Sequence, residues 1–455
     1  MHPAAASHCH EVRQHELRRT RLQMIDGALV GNLRSSEGGT SARVHRDGYW
    51  GFASAPGACQ GDALERLLAL ADRHARTMAR FGPRPVLALP ATATTRLDDQ
   101  TIAGRPALSA ADCAERLAAL HAHCSRHYPG LRSTRFMLAD ERHDKRLRTS
   151  AGGESLARIA RALLAVALVA EGDDGGPVEL VELLSCKGSL ADLELSVQAL
   201  APVIEQLHDH LQAKRHAVTA RGGLRTVVMA APLTGLLAHE AMGHPCEADI
   251  VLGGAVTAGL VGRPVASALV TMVDFAHHFE GSELMIPVYV DDEGVPAQDA
   301  VLIDGGQLTG FMHSRETAAR MGRPATGNAR AYGPGDEPLV RMRNTAVLPG
   351  HSSMEQMIAG VDDGVLLLKS GNGQADSTSE FMFGINLAYE IRGGRLGRAL
   401  RDTTLSGSAI KVLQTVDAVG DQMHWTCAGY CGKKQPMVVS MGGPALRAQA
   451  QLGGR

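Results

Sequence analysis

Alternating and helically spaced apolar residues divide the chain into two halves of different character. Leu22-Gln23-Met24-Ile25 and Ala28-Leu29-Val30 flank Asp26-Gly27, and Ala42-Arg43-Val44-His45 and Tyr49-Trp50-Gly51-Phe52 flank Asp47-Gly48. Asp-Gly between alternating segments marks a tight hairpin turn, whose central residues need positive φ, so two short hairpins are expected. Leu64, Leu67, Leu68 and Ala71 recur at helical spacing and predict a helix over 63–81, closed by Pro83 and Pro85. Residues 90–107 read as a loop, 110–128 as a second amphipathic helix and 178–184 as a strand. A long helix over 189–217, whose basic end Lys214-Arg215-His216 suits a helix C-terminus, closes the first half. The second half opens with a strand at 224–230, and 252–269 shows no usable period. Strands are then expected at 285–290, at 300–303 and 307–312 around Gly305-Gly306, and at 387–391 and 395–396 around Gly393-Gly394. The intervening Gly/Pro/Asn-rich stretch, 322–349, has the irregularity of a functional loop. The predicted class is α+β: an N-terminal α/β domain over 1–220, then a mainly antiparallel β domain over 221–455.

Composition narrows this picture. A chain of 455 residues has room for two or three domains, and 44% hydrophobic residues with 4% aromatics imply a core of Leu, Val and Ala. A net charge of −2 gives no bulk attraction to nucleic acid or a membrane surface, so neither is expected as a partner. The N-terminus lacks the basic-then-apolar pattern of a secretory signal, and the apolar run 162–170 is too short to span a bilayer. Eight scattered cysteines read as reduced thiols, which predicts a cytoplasmic protein. His121, His123, Cys124 and His127 share the second helix, where a solvated face accounts for them.

The candidate chemistry lies in Leu236-Leu237-Ala238-His239-Glu240-Ala241-Met242-Gly243-His244-Pro245. Two imidazoles with a carboxylate after the first are the equipment of a zinc hydrolase: nitrogen ligands and a base for the metal's water. The familiar zinc-peptidase motif spaces its histidines by four; His239 and His244 are five apart. On a straight α-helix, five steps of about 100° leave the side chains about 140° apart. Both reach one ion only if the helix is distorted, by an inserted π-type turn or by an end near Gly243. Gly243 is expected to relax the backbone there, and Pro245 to stop or bend the helix. A catalytic site needs a third protein ligand. Glu247 and Asp249 are local candidates, and His277, His278, Cys427 and Cys431 distant ones. Cys431 sits in a Gly-flanked loop where Lys433 and Lys434 would favour its ionised form.

These segments together resemble the TldD/PmbA family of metallopeptidases, in its catalytic TldD branch. The resemblance runs through His239–His244, Asp291-Asp292-Glu293-Gly294-Val295-Pro296, Gly310-Phe311-Met312-His313-Ser314-Arg315, Thr326-Gly327-Asn328-Ala329-Arg330, Arg341-Met342-Arg343-Asn344-Thr345 and Cys431-Gly432-Lys433. Asp47-Gly48-Tyr49-Trp50-Gly51-Phe52 fits as well. The sequence after Lys433 is one residue shorter than is usual in the family, and a leading helix before the first strand is not evident. The resemblance implies a C-terminal domain of curved antiparallel sheets carrying the metal-binding helix. It implies zinc held by His239, His244 and Cys431, with Glu240 as catalytic base. It implies action on unfolded or extended peptides, including leader segments of ribosomally made peptides, the substrate lying as an added strand. It also implies a dimer, with a metal-free PmbA/TldE-like paralogue or with itself. His313 is a further candidate, for stabilising the oxyanion. The competing readings are a structural zinc protein and a catalytically silent scaffold subunit.

Overall fold

The computed structural model describes residues 8–82, 84, 87–94, 96–98, 108–375 and 377–454. Pro83, Pro85 and most of the expected loop over 90–107 lie outside them. The first half is built on one large sheet. Its elements are β1 His8–Ile25, β2 Ala28–Arg46, β3 Tyr49–Pro56, α1 Gly61–Ala79, β4 Arg96–Asp98, α2 Ala110–His127, β5 Ser133–Thr149, β6 Glu154–Glu171, β7 Pro177–Lys187 and α3 Val197–Arg215. The strand order is β3-β2-β1-β5-β6-β4, with β7 also on β6.

Both Asp-Gly turns form as expected, with Asp26 at φ 48° and Gly27 at 81°, and Asp47 at 53° and Gly48 at 80°. The hairpins are not short, however: β1 and β2 run 18 and 19 residues. All pairings are antiparallel except the short β4 against β6, so this half is a helix-covered antiparallel sheet and not an α/β layer of parallel strands. The helices cover one face. Leu117 and Leu120 of α2, with Leu200, Ile204 and Leu207 of α3, bury against Leu22, Phe136, Leu138 and Leu164. α1 lies so close to β3 that a Cβ on Gly51 would meet the Ala71 carbonyl oxygen at 2.0 Å. α3 begins at Val197, capped by the Ser196 hydroxyl, well after the expected start at 189.

The second half holds a small closed barrel and a mixed sheet. The barrel runs from Asp363–Ala375 to β8 (Gly223–Met229), Leu446–Leu452, Thr403–Ser408 and Glu380–Arg392. It closes because Glu380–Arg392 pairs back on Asp363–Ala375. The other sheet orders Gln307–Leu308, Ala300–Asp304, Met272–Phe275, Asn344–Val347, Ser440–Gly443 and His424–Thr426. This half is mainly antiparallel, as expected, with two parallel strand pairings among the described residues: β8 with Asp363–Ala375, and Asn344–Val347 with Ser440–Gly443. The expected strand at 285–290 is irregular chain, and the one expected at 307–312 is only Gln307–Leu308. The stretch 322–349 is largely irregular, as expected, yet deeply buried: Asn328, Arg341, Arg343 and Asn344 have no exposed surface.

The uncovered face of the first sheet meets this second half through charge. Glu11, Arg13, His15, Arg43, Glu141, His143 and Lys145 are all buried. Arg43 donates to Glu293 at 2.7 Å and Glu11 at 3.1 Å, Arg315 donates to Glu11 at 3.0 Å, and Lys145 donates to Asp292 at 2.7 Å. Glu11, Arg43, Lys145 and Arg315 each find a counterion, without which their desolvation would be prohibitive.

Candidate metal centre

β8 leads directly into α4 (Ala231–Leu236), which continues as a π-helical turn over Leu237–Gly243 and a 3₁₀ turn over His244–Cys246. The five-residue spacing is thereby absorbed. The His244 amide donates to the His239 carbonyl, an i to i+5 bond, and the two rings lie 5.2 Å apart, edge to face. Gly243 serves a different purpose from the one expected. Its φ is −62°, ordinary helix, but a Cβ would meet the buried Met342 sulphur at 2.2 Å. Glycine is there for packing. Beyond Pro245, Glu247 takes an extended conformation at φ −75° and ψ 118°. The segment is then fastened by Ala248 N–H to the Met312 carbonyl, Met312 N–H to the Cys246 carbonyl, and the Thr257 hydroxyl to the Pro245 carbonyl.

The third donor arrives on the hairpin formed by Tyr430–Lys433 and Gln435–Val438, turned at Lys434 with φ 58°. The donor atoms of His239, His244 and Cys431 all lie within 4.8 Å of one another. Cys431 Sγ is 3.4 Å from His244 Nε2, against about 3.5 Å between sulphur and nitrogen ligands of one tetrahedral zinc. His239 is 1% exposed and neither ring nitrogen has a hydrogen-bond partner. An unpartnered buried imidazole is costly, and a metal removes that cost. Burial alone would raise the Cys431 thiol, but the neighbouring His239 and His244 imidazoles bring it well below its ordinary range. The donor set thus fits zinc: two nitrogens and an ionised sulphur. Glu240 stands beside it, Oε2 3.7 Å from His244 Nε2 and one-fifth exposed, so its carboxylate borders both the trio and open space.

The other candidates fall elsewhere. Cys427 is buried, with Sγ 3.7 Å from the Cys186 carbonyl, and burial raises its thiol. His277 and His278 contact each other and His277 stacks on Tyr289. His121 bonds Thr134, and His127 the carbonyl of His123. His313 reaches Thr317 in the first turn of Arg315–Met321 at 3.3 Å, a turn-supporting place rather than one in the trio. Glu247 and Asp249 stand behind the site: Glu247 Oε2 accepts from His244 Nδ1 at 2.9 Å. Lys433 does not face the thiol. Its ammonium donates to Asp249 at 2.8 Å, Glu247 at 3.2 Å and the Val340 carbonyl at 2.7 Å. Electrostatic support for the thiolate comes from the histidines.

No local pattern announces the residues that aim the cysteine hairpin. Arg341, with no exposed surface, donates to the carbonyls of Cys431 at 2.8 Å and Gln435 at 2.9 Å. From the first half, Arg161 grips the Cys427 and Gly429 carbonyls and lies 4.1 Å over the Tyr430 ring. Glu141 accepts from the hydroxyls of Tyr430 and Tyr332. These contacts are remote in sequence and carry no local pattern.

The sequence matches the family described as PmbA/TldA metallopeptidase C-terminal domain over residues 222–453, and PmbA/TldA metallopeptidase domain 1 over 10–75. A metalloprotease of Methanothermobacter thermautotrophicus is 30% identical across 98% of this chain and 95% of its own length. A zinc metalloprotease TldD homolog of Saccharolobus solfataricus is 31% identical across 71% of each chain. Among solved structures, TldE of Thermococcus kodakarensis superposes with a TM-score of 0.75 at 17% identity, covering 98% of this chain and 97% of its own. A Thermotoga maritima protein described as a candidate modulator of DNA gyrase gives 0.79 at 18%, covering 98% and 96%. At such identities these two speak to the fold alone.

Proposed function

Because this chain belongs to the PmbA/TldD family and is a zinc metallopeptidase, we propose that it hydrolyses unfolded or extended peptides at an ion held by His239, His244 and Cys431, with Glu240 as general base. The observation that carries the assignment is the convergence of these three donors, with both nitrogens of buried His239 unpartnered, beside a one-fifth exposed carboxylate. Zinc bound there would supply a Lewis acid that brings the pKa of a water down to about 7 and polarises a scissile carbonyl. Glu240 accepts the proton from the attacking water and returns it to the leaving amine. His239 and His244 present neutral nitrogens, and Cys431 contributes a negative charge that tempers the metal's acidity and makes the sulphur the oxidation-sensitive ligand.

Substrates of this kind include leader segments of ribosomally made peptides, and the chain works as a dimer with a PmbA/TldE-like paralogue or with itself. A division into domains at residue 220 is supported by the sheets, since one is drawn wholly from residues 8–187 and the two large sheets of the second half from 223–452. All eight cysteines are free, which suits a cytoplasmic setting. Among the described residues no helix is long and apolar enough to cross a membrane. A closed structural zinc site needs a fourth protein donor; among the described residues the gathered set has three.

The test is Glu240→Gln. Elemental analysis is expected to find wild-type zinc content, while cleavage of a mixed library of unfolded peptides, followed by mass spectrometry with and without chelator, is expected to vanish. Retained cleavage in this variant overturns the base assignment, and a wild-type chain that binds no zinc overturns the metal site.

A further inference from the structure

The side chain of Glu247 has no part in the reaction as described, yet it is fully buried in the second half's core, next to the trio. It opens the short helix Ala248–Leu252 without capping it, since no side-chain cap bond forms there. Instead Oε2 accepts from His244 Nδ1 at 2.9 Å and from Lys433 Nζ at 3.2 Å, while Oε1 faces Arg341 Nε at 4.0 Å. These two cations belong to the apparatus that holds Cys431. Lys433 lies two residues beyond it on the same hairpin strand, and Arg341 donates to its carbonyl. One carboxylate thus faces a histidine on the π-turned helix and two of the cations tied to the cysteine hairpin.

We propose that Glu247 is a positioning residue of the metal centre. By accepting a hydrogen bond from His244 Nδ1 it fixes the orientation of the ring with Nε2 turned toward Cys431, and through Lys433 and Arg341 it sets the separation between His244 and Cys431. Nε2 is the atom that faces Cys431 at 3.4 Å, so the hydrogen bond at Nδ1 and the donor at Nε2 are two ends of one oriented ring. Carboxylates behind a metal-binding histidine act in this way, and losing one typically costs 10–100-fold in affinity, on the order of the change expected here.

The inference rests on the zinc reading above, and two substitutions separate it from simple charge balance. Glu247→Gln keeps the reach and an acceptor oxygen for His244 but loses the charge; Glu247→Asp keeps the charge but falls short. A positioning role predicts that Asp is the worse. Zinc affinity, measured by chelator competition on the full chain, is expected to fall about 10–100-fold in Glu247→Asp and by less in Glu247→Gln. Cobalt substitution is expected to show a weakened thiolate-to-metal band in the Asp variant. If Glu247→Gln is instead the weaker binder, or both bind zinc like the wild type with an unchanged cobalt spectrum, Glu247 only balances charge and the proposal falls. Failure of the wild-type chain to bind zinc at all strikes the zinc reading and is seen first. Circular dichroism and thermal unfolding of the metal-free variants confirm that folded protein is being compared.

Discussion

At the residue scale the most informative contrast is between two cysteines four positions apart. Cys431 points at two imidazoles and is held ionised by them; Cys427 is buried against a backbone carbonyl and kept as a thiol. Cys431→Ser is therefore expected to reduce bound zinc from stoichiometric to trace amounts, whereas Cys427→Ser should keep it, with elemental analysis of the two purified proteins as the check. Loss of zinc in Cys427→Ser alone would reverse the assignment. The sequence could narrow the third ligand to a short list but not to one residue, because a loop's chemistry depends on where it lands. Nearby lysines made Cys431 attractive for a reason the structure does not bear out, since Lys433 is committed to Asp249, Glu247 and a carbonyl. Glu247 reads in the sequence as a local candidate for the third ligand. What hid its position behind His244 was the extended backbone it adopts after Pro245.

At the element scale, local signals were read well wherever one turn or one helix decides the outcome. The histidine spacing demands a distorted helix and leaves two forms of it, a π-type turn or an end near Gly243, of which the structure takes the first, and both Asp-Gly hairpins follow from their need for positive φ. Elements fixed by tertiary packing were read less well. Residues 285–290 alternate like a strand but bond irregularly, with the Ile286 amide donating to the Asn344 side chain at 3.0 Å. The motif helix offers an element-scale test. Gly243→Ala pushes a methyl group into Met342, which is fully buried and has little room to move. Overpacking of this kind costs about 1–3 kcal/mol, and chemical denaturation of the metal-free protein should show it. Pairing the change with Met342→Ala should recover part of the loss. Unchanged stability in Gly243→Ala would mean that the core yields there and that the close approach of the helix is not what selects glycine.

At the scale of the whole molecule, the inward-facing charges of the long strands were the least legible feature. Nothing in the sequence around Glu11, Arg13, His15 and Arg43 marks them for burial, since only the partner surface from the second half turns them into a core, and that surface lies more than 200 residues away. The same interface predicts how the protein responds to acid. Glu141 of β5 accepts from His143 at 2.7 Å and from Tyr332 at 3.1 Å, as well as from Tyr430, so it links the first sheet to the hairpin bearing Cys431. Burial alone would raise its carboxyl, but hydrogen bonds from His143 and Tyr430, with Arg161 nearby, bring it down to about 2 from an ordinary 4.5. The folded state therefore binds fewer protons than the unfolded state between these values, and stability must fall as pH drops through that window. The contribution is fully present above pH 4.5 and is lost as pH approaches about 2. It amounts to about 3 kcal/mol at neutral pH. Urea denaturation of the wild type and of Glu141→Gln, from pH 7 down to pH 3, isolates it: the variant should be less stable at pH 7, and the gap should hold down to about pH 4.5 and narrow below it. A gap that stays constant across the series would show that Glu141 supports the interface through shape and not through its charge.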